Sequence, residues 1–420
     1  MADIQTYVFV WRANGWVPAG LLNIHPHERE GSARFAYGRK YLTRADRIPI
    51  DPVSLPLPDL GTDFEFVTAP GLALFGAIDD ATPDRWGQDL MYKALHNRLP
   101  NAADLVLASG DHRVGALAFG PTSSRPERIM PWGDEPPVGE HVSLADLAVA
   151  TERAQAVDEL DPGLRSLLDA ATSLGGARPK AATDIDGAPW IAKFPRRQDT
   201  FPECRVELAT MRLATNCGLD VPELGFEVIF DRDIYLIRRF DRPADDPTHR
   251  LPFVSGLTMV AAHENESPQF AYADLAGAIR RFGTRVRRDL HELFERMAFN
   301  VLVTNDDDHL RNHGFLYDEK GWNLSPLYDV VPKPQTGHER RLALGVGASG
   351  RDATLANVLS GAHQFDLTDD EARARVLRLA GLVHTGWEAA FRQAGIAAAD
   401  CARFATCFRQ ADADVHGLAS

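Results

Sequence analysis

The sequence predicts an α+β fold, with a β-rich beginning and a mostly helical end. Strand-like apolar runs occupy much of residues 4–50, and further strand candidates fall at 190–194, 226–230 and 234–237. From about residue 270 onward, the apolar residues instead recur with the spacing of an α-helix. Strands concentrated ahead of helices are typical of an α+β protein.

Several elements of the first half can be placed from local signals. Residues 7–11 read YVFVW, which predicts a strand, and the Asn14-Gly15 pair that follows is a hairpin signal. Residues 33–37 predict another strand, and residues 75–96 predict a helix. Residues 110–117, GDHRVGAL, predict a turn that leads into an apolar strand.

Proline and capping residues mark the later boundaries. Residues 121–140 contain five prolines and are predicted to be a linker. Helices are predicted over 143–156, with Ser143 as N-cap, and over 203–217. The strongest helical spacing is carried by five apolar residues: Leu290, Leu293, Phe294, Met297 and Val301.

Composition narrows the class of protein. The chain has 420 residues and a net charge of -14, which argues against nucleic-acid binding through a broad basic face and against anionic membrane surfaces. No apolar run approaches the roughly 20 residues of a membrane-spanning helix, and the first residues lack the pattern of a signal peptide. The four cysteines form no C-x-x-C pair, so we expect reduced, buried thiols in a cytoplasmic protein.

One polar stretch stands out between two apolar ones. Residues 305–312 read NDDDHLRN and directly follow the helical pattern described above. Three adjacent carboxylates repel one another, so the arrangement costs stability unless cations or hydrogen-bond donors offset it. Such conflict is often found in loops that carry chemistry, although a solvated acidic turn is the alternative. His309 is expected to play a structural part, and His313 is expected to be exposed.

A possible phosphate cradle lies earlier in the chain. Gly175, Gly176 and Ala177 would let backbone N–H groups approach oxyanions, and Arg178 and Lys180 would neutralise them. The alternative is an ordinary tight hairpin. The spacing fits neither G-x-x-x-x-G-K-[ST] nor G-x-G-x-x-G, so it indicates neither a P-loop nor a Rossmann site.

Three further features, which involve five residues, follow the order of a protein kinase. Lys193 lies within a predicted strand and Glu207 on the next helix, as a kinase Lys–Glu pair requires, although an exposed edge-strand lysine is the alternative. Asp307 and Asn312 are five residues apart, which matches H-R-D-x-x-x-x-N. Asp329 follows a short strand, where a kinase places its second metal ligand.

Together these motifs resemble those of the HipA-type serine/threonine kinases, the toxins of bacterial type II toxin–antitoxin systems. The motifs that carry the resemblance are SLGGARPK from Ser173, WIAKF around Lys193, Glu207, RFDR from Arg239, NDDDHLRN from Asn305, LYD ending at Asp329, DRWG from Asp84 and GDHRVGAL from Gly110. The resemblance therefore spans nearly the whole chain.

The resemblance implies a bilobal protein-kinase-like fold with an added β-rich N-terminal subdomain and a mostly helical C-terminal lobe. It implies a division into an N-terminal subdomain at 1–120, a linker at 121–142, a region like the kinase N-lobe at 143–240 and a helical lobe at 241–420.

The resemblance also assigns roles. Lys193 would contact ATP phosphate, and Asp307 would be the catalytic base. Asn312 and Asp329 would bind magnesium (Mg2+), and the backbone around Arg239 and Phe240 would meet the adenine. Ser173 matches the family's autophosphorylated serine.

Three function classes stay open at this point. The first is an ATP-dependent protein kinase that inhibits growth by phosphorylating a translation-related protein, such as an aminoacyl-tRNA synthetase. The second is a weakly active or inactive protein that mainly binds a HipB-like DNA-binding antitoxin, through which it would reach DNA indirectly. The third is a metal-dependent phosphohydrolase built on the aspartate cluster. The arginines at 280, 281, 285, 287 and 288 are expected to be a solvated helix face balanced by acids rather than a nucleic-acid contact.

Overall fold

The computed structural model describes residues 3–12, 15–25, 32–59, 61, 64–108, 110, 112–131, 142–167, 178–334 and 339–411. The chain divides into two compact units. The first unit holds residues 1–198 and 228–254, and the second holds residues 199–227 and 255–420.

The first unit contains two antiparallel sheets. The five-stranded sheet has the order β4-β3-β2-β1-β5, with strands β1 (Ile4–Arg12), β2 (Gly15–His25), β3 (Ser32–Tyr37), β4 (Glu65–Val67) and β5 (Leu117–Gly120). The second sheet joins β6 (Lys180–Ile185), β7 (Ala188–Lys193) and β9 (Arg232–Arg238), and continues to residues 228–229 of β8 (Leu224–Ile229). Strand β10 (Phe253–Ser255) begins at the end of this unit.

The first unit also contains helices, some of which pack against its second sheet. The helices are α1 (Arg39–Leu42), α2 (Gly76–Asp80), α3 (Arg85–Ala94), α4 (Ala102–Ala108), α5 (Leu144–Ala156) and α6 (Pro162–Leu167). Trp86 and Leu90 of α3 and Leu147 of α5 share one buried cluster with Trp190 and Leu236 of the sheet. The predicted subdomain at the beginning of the chain thus contributes core to the sheet that carries Lys193.

The helix predicted over 75–96 is interrupted. Pro83 lacks the backbone N–H that a continuous helix would require, and the side chain of Asp84 accepts a 3.0 Å hydrogen bond from the N–H of Gly87. Asp84 therefore caps a new helix, α3. The predicted helix with Ser143 as N-cap is confirmed, because the Ser143 side chain accepts from the N–H of Asp146.

The second unit is mostly helical. Its helices are α7 (Glu203–Asn216), α8 (Gly256–Met259), α9 (Tyr272–Phe282), α10 (Val286–Val303), α11 (Leu355–Ser360), α12 (Asp369–Gln393) and α13 (Ala398–Phe404). Strands β11 (Gly314–Tyr317) and β12 (Trp322–Leu324) form an antiparallel hairpin, and short 3-10 helices cover Glu264–Gln269, Leu310–Asn312, Ala362–Phe365 and Ala405–Phe408.

Helix α10 runs through the core of this unit. Ion pairs of its buried Glu295 connect it to α12. Leu290, Leu293 and Phe294 are fully buried, as the apolar spacing predicts. The carboxylate of Glu295, which is only 7% exposed, accepts hydrogen bonds from Arg375 at 2.5 Å and Arg378 at 2.7 Å. These bonds fix the register between the helix that ends at the polar loop and the long helix α12.

The surface arginines near α9 and α10 are balanced as expected. Arg280 pairs with Asp366, Arg285 with Asp318 and Arg288 with Asp220. These ion pairs confirm a solvated helix face rather than a concentrated basic patch. No described helix is both long and apolar enough to cross a membrane. All four cysteines are buried free thiols, as predicted.

Candidate active site

The polar loop begins where α10 stops. Thr304 ends the helix in the left-handed region, with φ 57° and ψ 48°, so the chain turns sharply into residues 305–309. Its hydroxyl donates to the carbonyl of Cys407 at 2.6 Å and accepts from Arg340 at 2.8 Å. A left-handed threonine is costly, and these hydrogen bonds offset that cost. The starting point of the loop is therefore fixed.

The third aspartate of the loop faces inward. Asp308 is 1% exposed, and its carboxylate accepts hydrogen bonds from the Tyr272 hydroxyl at 2.6 Å and the Ala343 N–H at 2.7 Å. Burial raises the pKa of Asp308 to about 6, although these hydrogen bonds act in the opposite direction. Asn300 donates to the same tyrosine oxygen at 2.8 Å and accepts from Asn305 at 3.1 Å. A buried series of hydrogen bonds thus connects Asp308 and Asn305 of the loop through Tyr272 and Asn300.

The expectation that His313 is exposed is wrong. Its side chain is 2% exposed and meets the Tyr272 ring edge to face, with ring centres 5.3 Å apart. The reason is its place between the 3-10 helix Leu310–Asn312 and β11, where its carbonyl accepts a 2.6 Å hydrogen bond from the N–H of Gly256. Burial, helped by the charge of Arg296, lowers the pKa of His313 to about 3, so the ring is neutral.

Asp307, by contrast, points outward. Its side chain is 59% exposed, and its carbonyl accepts a 2.7 Å hydrogen bond from the Asn312 side chain. The 3-10 helix Leu310–Asn312 supplies the turn that lets these two residues meet. The structure thus places Asp307 and Asn312 together, as their spacing of five suggested.

Asp329 reaches the same region from further along the chain. Asn312 and Asp329 both line a small cavity, together with Asn305 and Asp308. Asp329 lies in the left-handed region, with φ 61°, a conformation that Asp tolerates better than most residues. Asp329 thus combines a strained backbone with a position at the cavity, and this combination motivates a functional hypothesis.

Sequence reasoning missed one cation of this site. The Lys333 ammonium lies 3.1 Å from the carboxylate of Asp307 and 3.4 Å from that of Asp306. Partial burial lowers the pKa of Lys333, but the two carboxylates outweigh that effect and raise it above its ordinary value. Lys333 therefore offsets the repulsion between adjacent aspartates. A contact made across 26 residues leaves no local spacing signal.

The first unit holds the predicted phosphate-side residues that the structure describes. Lys193 is only 6% exposed, within the central strand β7, and its ammonium lies 5.8 Å from the centre of the Tyr235 ring. The alternative of an exposed edge lysine is therefore wrong. Lys180 is paired with Lys193 in the β6–β7 register, and its ammonium lies 3.5 Å from Asp84. Arg178 is 8% exposed and bonds the carbonyl of Phe194 at 3.5 Å.

The RFDR motif forms an ionic cluster around Asp241. The Asp241 carboxylate accepts hydrogen bonds from Arg239 at 2.8 and 3.0 Å, Arg242 at 2.8 Å and the N–H of Gly115 at 2.8 Å. Burial by itself would raise the pKa of Asp241, but the two guanidinium groups hold it well below its usual range. The cluster joins the motif from Gly110 to the motif from Arg239, which includes Phe240.

Arg239 is occupied by protein acceptors. Besides Asp241, its guanidinium donates to the carbonyls of His112 at 2.8 Å and Arg113 at 2.9 Å. Its contribution toward a nucleotide would come from the backbone rather than the side chain. Ser173, Gly175, Gly176 and Ala177 lie outside the described residues.

The donor types at the cavity fit a magnesium ion. Asn312 and Asp329 offer amide and carboxylate oxygens, and Mg2+ commonly takes one or two such protein ligands and completes its shell with water and phosphate. The described part of the chain contains no group of three His, Cys, Asp or Glu side chains suited to a metal.

A family model described as the HipA-like C-terminal domain matches residues 172–387, slightly more than half of the chain. The chain belongs to the HipA-like family. The match includes the loop at 305–312, Asp329 and Lys333, so the family resemblance suggested by the motifs is confirmed.

Curated relatives of this HipA-like chain carry kinase names. It is 26% identical over 351 residues to a Sinorhizobium fredii protein named "Putative kinase Y4mE", and the match covers 76% of each chain. It is 31% identical over 166 residues to a Haemophilus influenzae protein named "Putative kinase", covering 36% of this chain and 48% of that one.

A solved structure shares the fold across nearly the full length. It is the complex of Shewanella oneidensis HipA with HipB and operator DNA, which matches with a TM-score of 0.67 at 16% identity. The match covers 98% of this chain and 97% of the other. The α+β, HipA-like fold is therefore confirmed, including the β-rich beginning and the mostly helical second unit.

Proposed function

We propose that this protein is an ATP- and Mg2+-dependent serine/threonine protein kinase. The observation that carries the proposal is the contact of Asp307 with Asn312, a residue that lines a small cavity together with Asp329. Asp307 has an exposed carboxylate that a substrate hydroxyl could approach, and Asn312 and Asp329 offer oxygen ligands. These are the parts that phosphoryl transfer between ATP and a hydroxyl requires.

Each residue has a separate task in the proposed reaction. Asp307 accepts the proton of the attacking hydroxyl as the new O–P bond forms and the bond between the γ-phosphorus and ADP breaks. Asn312 and Asp329 would hold Mg2+, which supplies positive charge to the phosphate oxygens when bound. Lys193 and the segment with Gly175, Gly176, Ala177, Arg178 and Lys180 would hold the phosphates, and the backbone at Arg239 and Phe240 would hold the base.

Transfer of phosphate from γ-32P-labelled ATP tests the proposal. Asp307→Ala and Asp329→Ala should each lower the rate by at least about a hundredfold, because each removes several kcal/mol of transition-state stabilisation. Arg288→Gln, which breaks an exposed ion pair on the same unit, is the matched control and should transfer at the wild-type rate. Unchanged transfer by Asp307→Ala would refute the catalytic assignment.

We further propose that Ser173 is phosphorylated by the protein itself and that this modification switches the kinase off. A phosphate adds nearly two negative charges and would compete with ATP for the glycine-rich segment and for Arg178 and Lys180. Mass spectrometry after incubation with ATP and Mg2+ should find phosphate on Ser173 in the wild type and none in Asp307→Ala. Equal phosphate on both proteins would show that another enzyme adds it.

The biological setting we propose is a toxin–antitoxin pair. The kinase would inhibit growth by phosphorylating a translation-related protein, with an aminoacyl-tRNA synthetase as a candidate, and a HipB-like DNA-binding antitoxin would be its partner. The similarity in fold to a HipA solved with HipB and operator DNA supports a partner of that type.

The same similarity supports a second candidate function, in which binding an antitoxin matters more than catalysis. Expression of the wild type and Asp307→Ala with and without a HipB-like antitoxin separates the two. Growth arrest that needs Asp307 supports the kinase, whereas an equal effect of both proteins on operator binding, without arrest, supports the second candidate.

A further inference from the structure

The main chain and the side chain of Lys333 are constrained to different degrees. Its backbone N–H donates a 3.0 Å hydrogen bond to the carbonyl of Thr304, the residue that ends α10. Pro332 and Pro334 flank it, and proline both fixes its own φ and restricts the residue before it. The main chain of Lys333 is therefore stiff, while the four-carbon side chain retains its own rotational freedom.

The ion pairs of Lys333 contribute little to folding. The side chains of Lys333 and Asp307 are 46% and 59% exposed, and exposed ion pairs of this kind contribute only about 0–1 kcal/mol to stability. The position of the ammonium is more informative than the strength of its ion pairs, because the ammonium lies 3.1 Å from the carboxylate of Asp307, the proposed base. A cation on a long side chain, attached to a fixed backbone beside the proposed base, can exchange one anionic partner for another.

On the basis of the proposed kinase function, we propose that Lys333 is a further catalytic residue that binds the phosphoryl group during transfer. Before substrates bind, its ammonium neutralises Asp306 and Asp307. When the γ-phosphoryl group is in place, the ammonium turns to its oxygens, which leaves Asp307 free to accept the hydroxyl proton. Lys333 donates no proton and forms no covalent bond. Its contribution is positive charge where negative charge spreads in the transition state.

The test compares charge, shape and position at residue 333. Lys333→Met keeps the length of the side chain and removes the charge, whereas Lys333→Arg keeps the charge. Lys320→Met removes an exposed lysine from the turn of the β11–β12 hairpin and is the control. The assay uses γ-32P-labelled ATP and sums the 32P transferred to protein and the 32P released as phosphate. Its dependence on ATP concentration gives kcat and the KM for ATP.

We expect Lys333→Met to lower kcat about 10- to 100-fold with a KM for ATP within about twofold of the wild-type value. Lys333→Arg should recover most of the loss, and Lys320→Met should match the wild type. A second readout needs no turnover: Lys333→Met should weaken binding of ADP with Mg2+ and aluminium fluoride, a mimic of the transferred group, while binding of ADP with Mg2+ stays unchanged.

Two results would overturn this role. One is a Lys333→Met kcat within twofold of wild type in a preparation where Asp307→Ala is inactive, which leaves the proposed kinase function intact. The other is an equal loss in Lys333→Met and Lys333→Arg with a matching drop in thermal stability, which indicates a structural lysine. A wild type that transfers no phosphate, or transfer that survives Asp307→Ala, rejects the proposed function itself and this role with it.

Discussion

The hydroxyl of Tyr272 donates a 2.6 Å hydrogen bond to the buried carboxylate of Asp308. Tyr272 lies in the first turn of α9, and Asp308 lies in the loop that carries the proposed base. The bond therefore connects a helix to the loop. Asp307, the residue directly before Asp308, must be placed accurately for the proposed proton transfer.

Removal of that hydroxyl should cost both stability and activity. Tyr272→Phe leaves the Asp308 carboxylate and the Asn300 amide without a shared partner, which should lower the free energy of unfolding by about 1–3 kcal/mol. Tyr41→Phe is the control, because it removes a buried hydroxyl bonded to Ile48 in the first unit. Urea titration should show a loss for both variants, while only Tyr272→Phe should lower kcat. Equal kcat values would separate Tyr272 from the loop's function.

Two buried groups should make opposite contributions to acid stability. The pKa of His313 is lowered to about 3, so the unfolded chain binds more protons than the folded one below pH 6.5, and acidification destabilises the fold. The pKa of Asp308 is raised to about 6, so between about pH 4 and 6 the folded chain binds more protons, and acidification stabilises it. Over that shared window the two contributions largely cancel.

Single substitutions should expose each contribution. Relative to wild type, Asp308→Asn should lose stability on acidification from pH 6 to 4, and His313→Gln should gain it, each by up to about 1.4 kcal/mol per pH unit. Urea unfolding at several pH values gives both slopes. Parallel curves for all three proteins would mean that neither group titrates as its burial requires.

The Asp241 cluster should be one of the most sensitive points of the first unit. Asp241→Asn leaves the buried guanidinium groups of Arg239 and Arg242 without a counter-ion, and breaking such a buried pair typically costs about 3–5 kcal/mol. Glu65→Gln breaks the exposed pair with Arg34, in which both side chains are 47% exposed, and should cost less than about 1 kcal/mol. Denaturant unfolding should separate the two variants clearly, and similar losses would contradict the structure.

The backbone of Asp329 allows a test that separates strain from catalysis. Asp329→Ala and Asp329→Gly both remove the carboxylate, so both should lack transfer activity. Ala disfavours the left-handed conformation with φ 61°, whereas Gly adopts it readily. Asp329→Ala should therefore be the less stable of the two, by about 1 kcal/mol, in thermal or urea unfolding. The reverse order would argue that the residue relaxes in solution.

Signals that lie within a few residues predicted the structure well. Ser143 caps its helix, and the apolar spacing around Leu293 marks α10, because a cap and a helical face are determined by neighbours in the sequence. The spacing of five between Asp307 and Asn312 likewise corresponds to a direct hydrogen bond. The helix predicted over 75–96 is instead two helices, because Pro83 lies between Asp80, where the first ends, and Arg85, where the second begins.

Features that depend on distant contacts were missed or left open. The burial of His313 is set by Gly256 and Tyr272, and the pairing of Lys333 with Asp307 is set by the chain's return to Thr304. Lys193 is buried because its strand, β7, lies between β6 and β9. Such contacts follow from topology, which periodicity and spacing do not encode.

The native cysteines are buried, so their thiols should react slowly with labelling reagents. Cys204, Cys217, Cys401 and Cys407 are all enclosed, and burial raises the pKa of the Cys217 and Cys407 thiols to about 12. Because the thiolate is the reactive form, maleimide reagents should modify the native chain slowly. A single cysteine introduced at an exposed position such as Lys320 can then carry a fluorophore without removal of any native cysteine. The native fold thus allows site-specific labelling, so that the proposed binding of ATP can be tested by fluorescence with all four native cysteines in place.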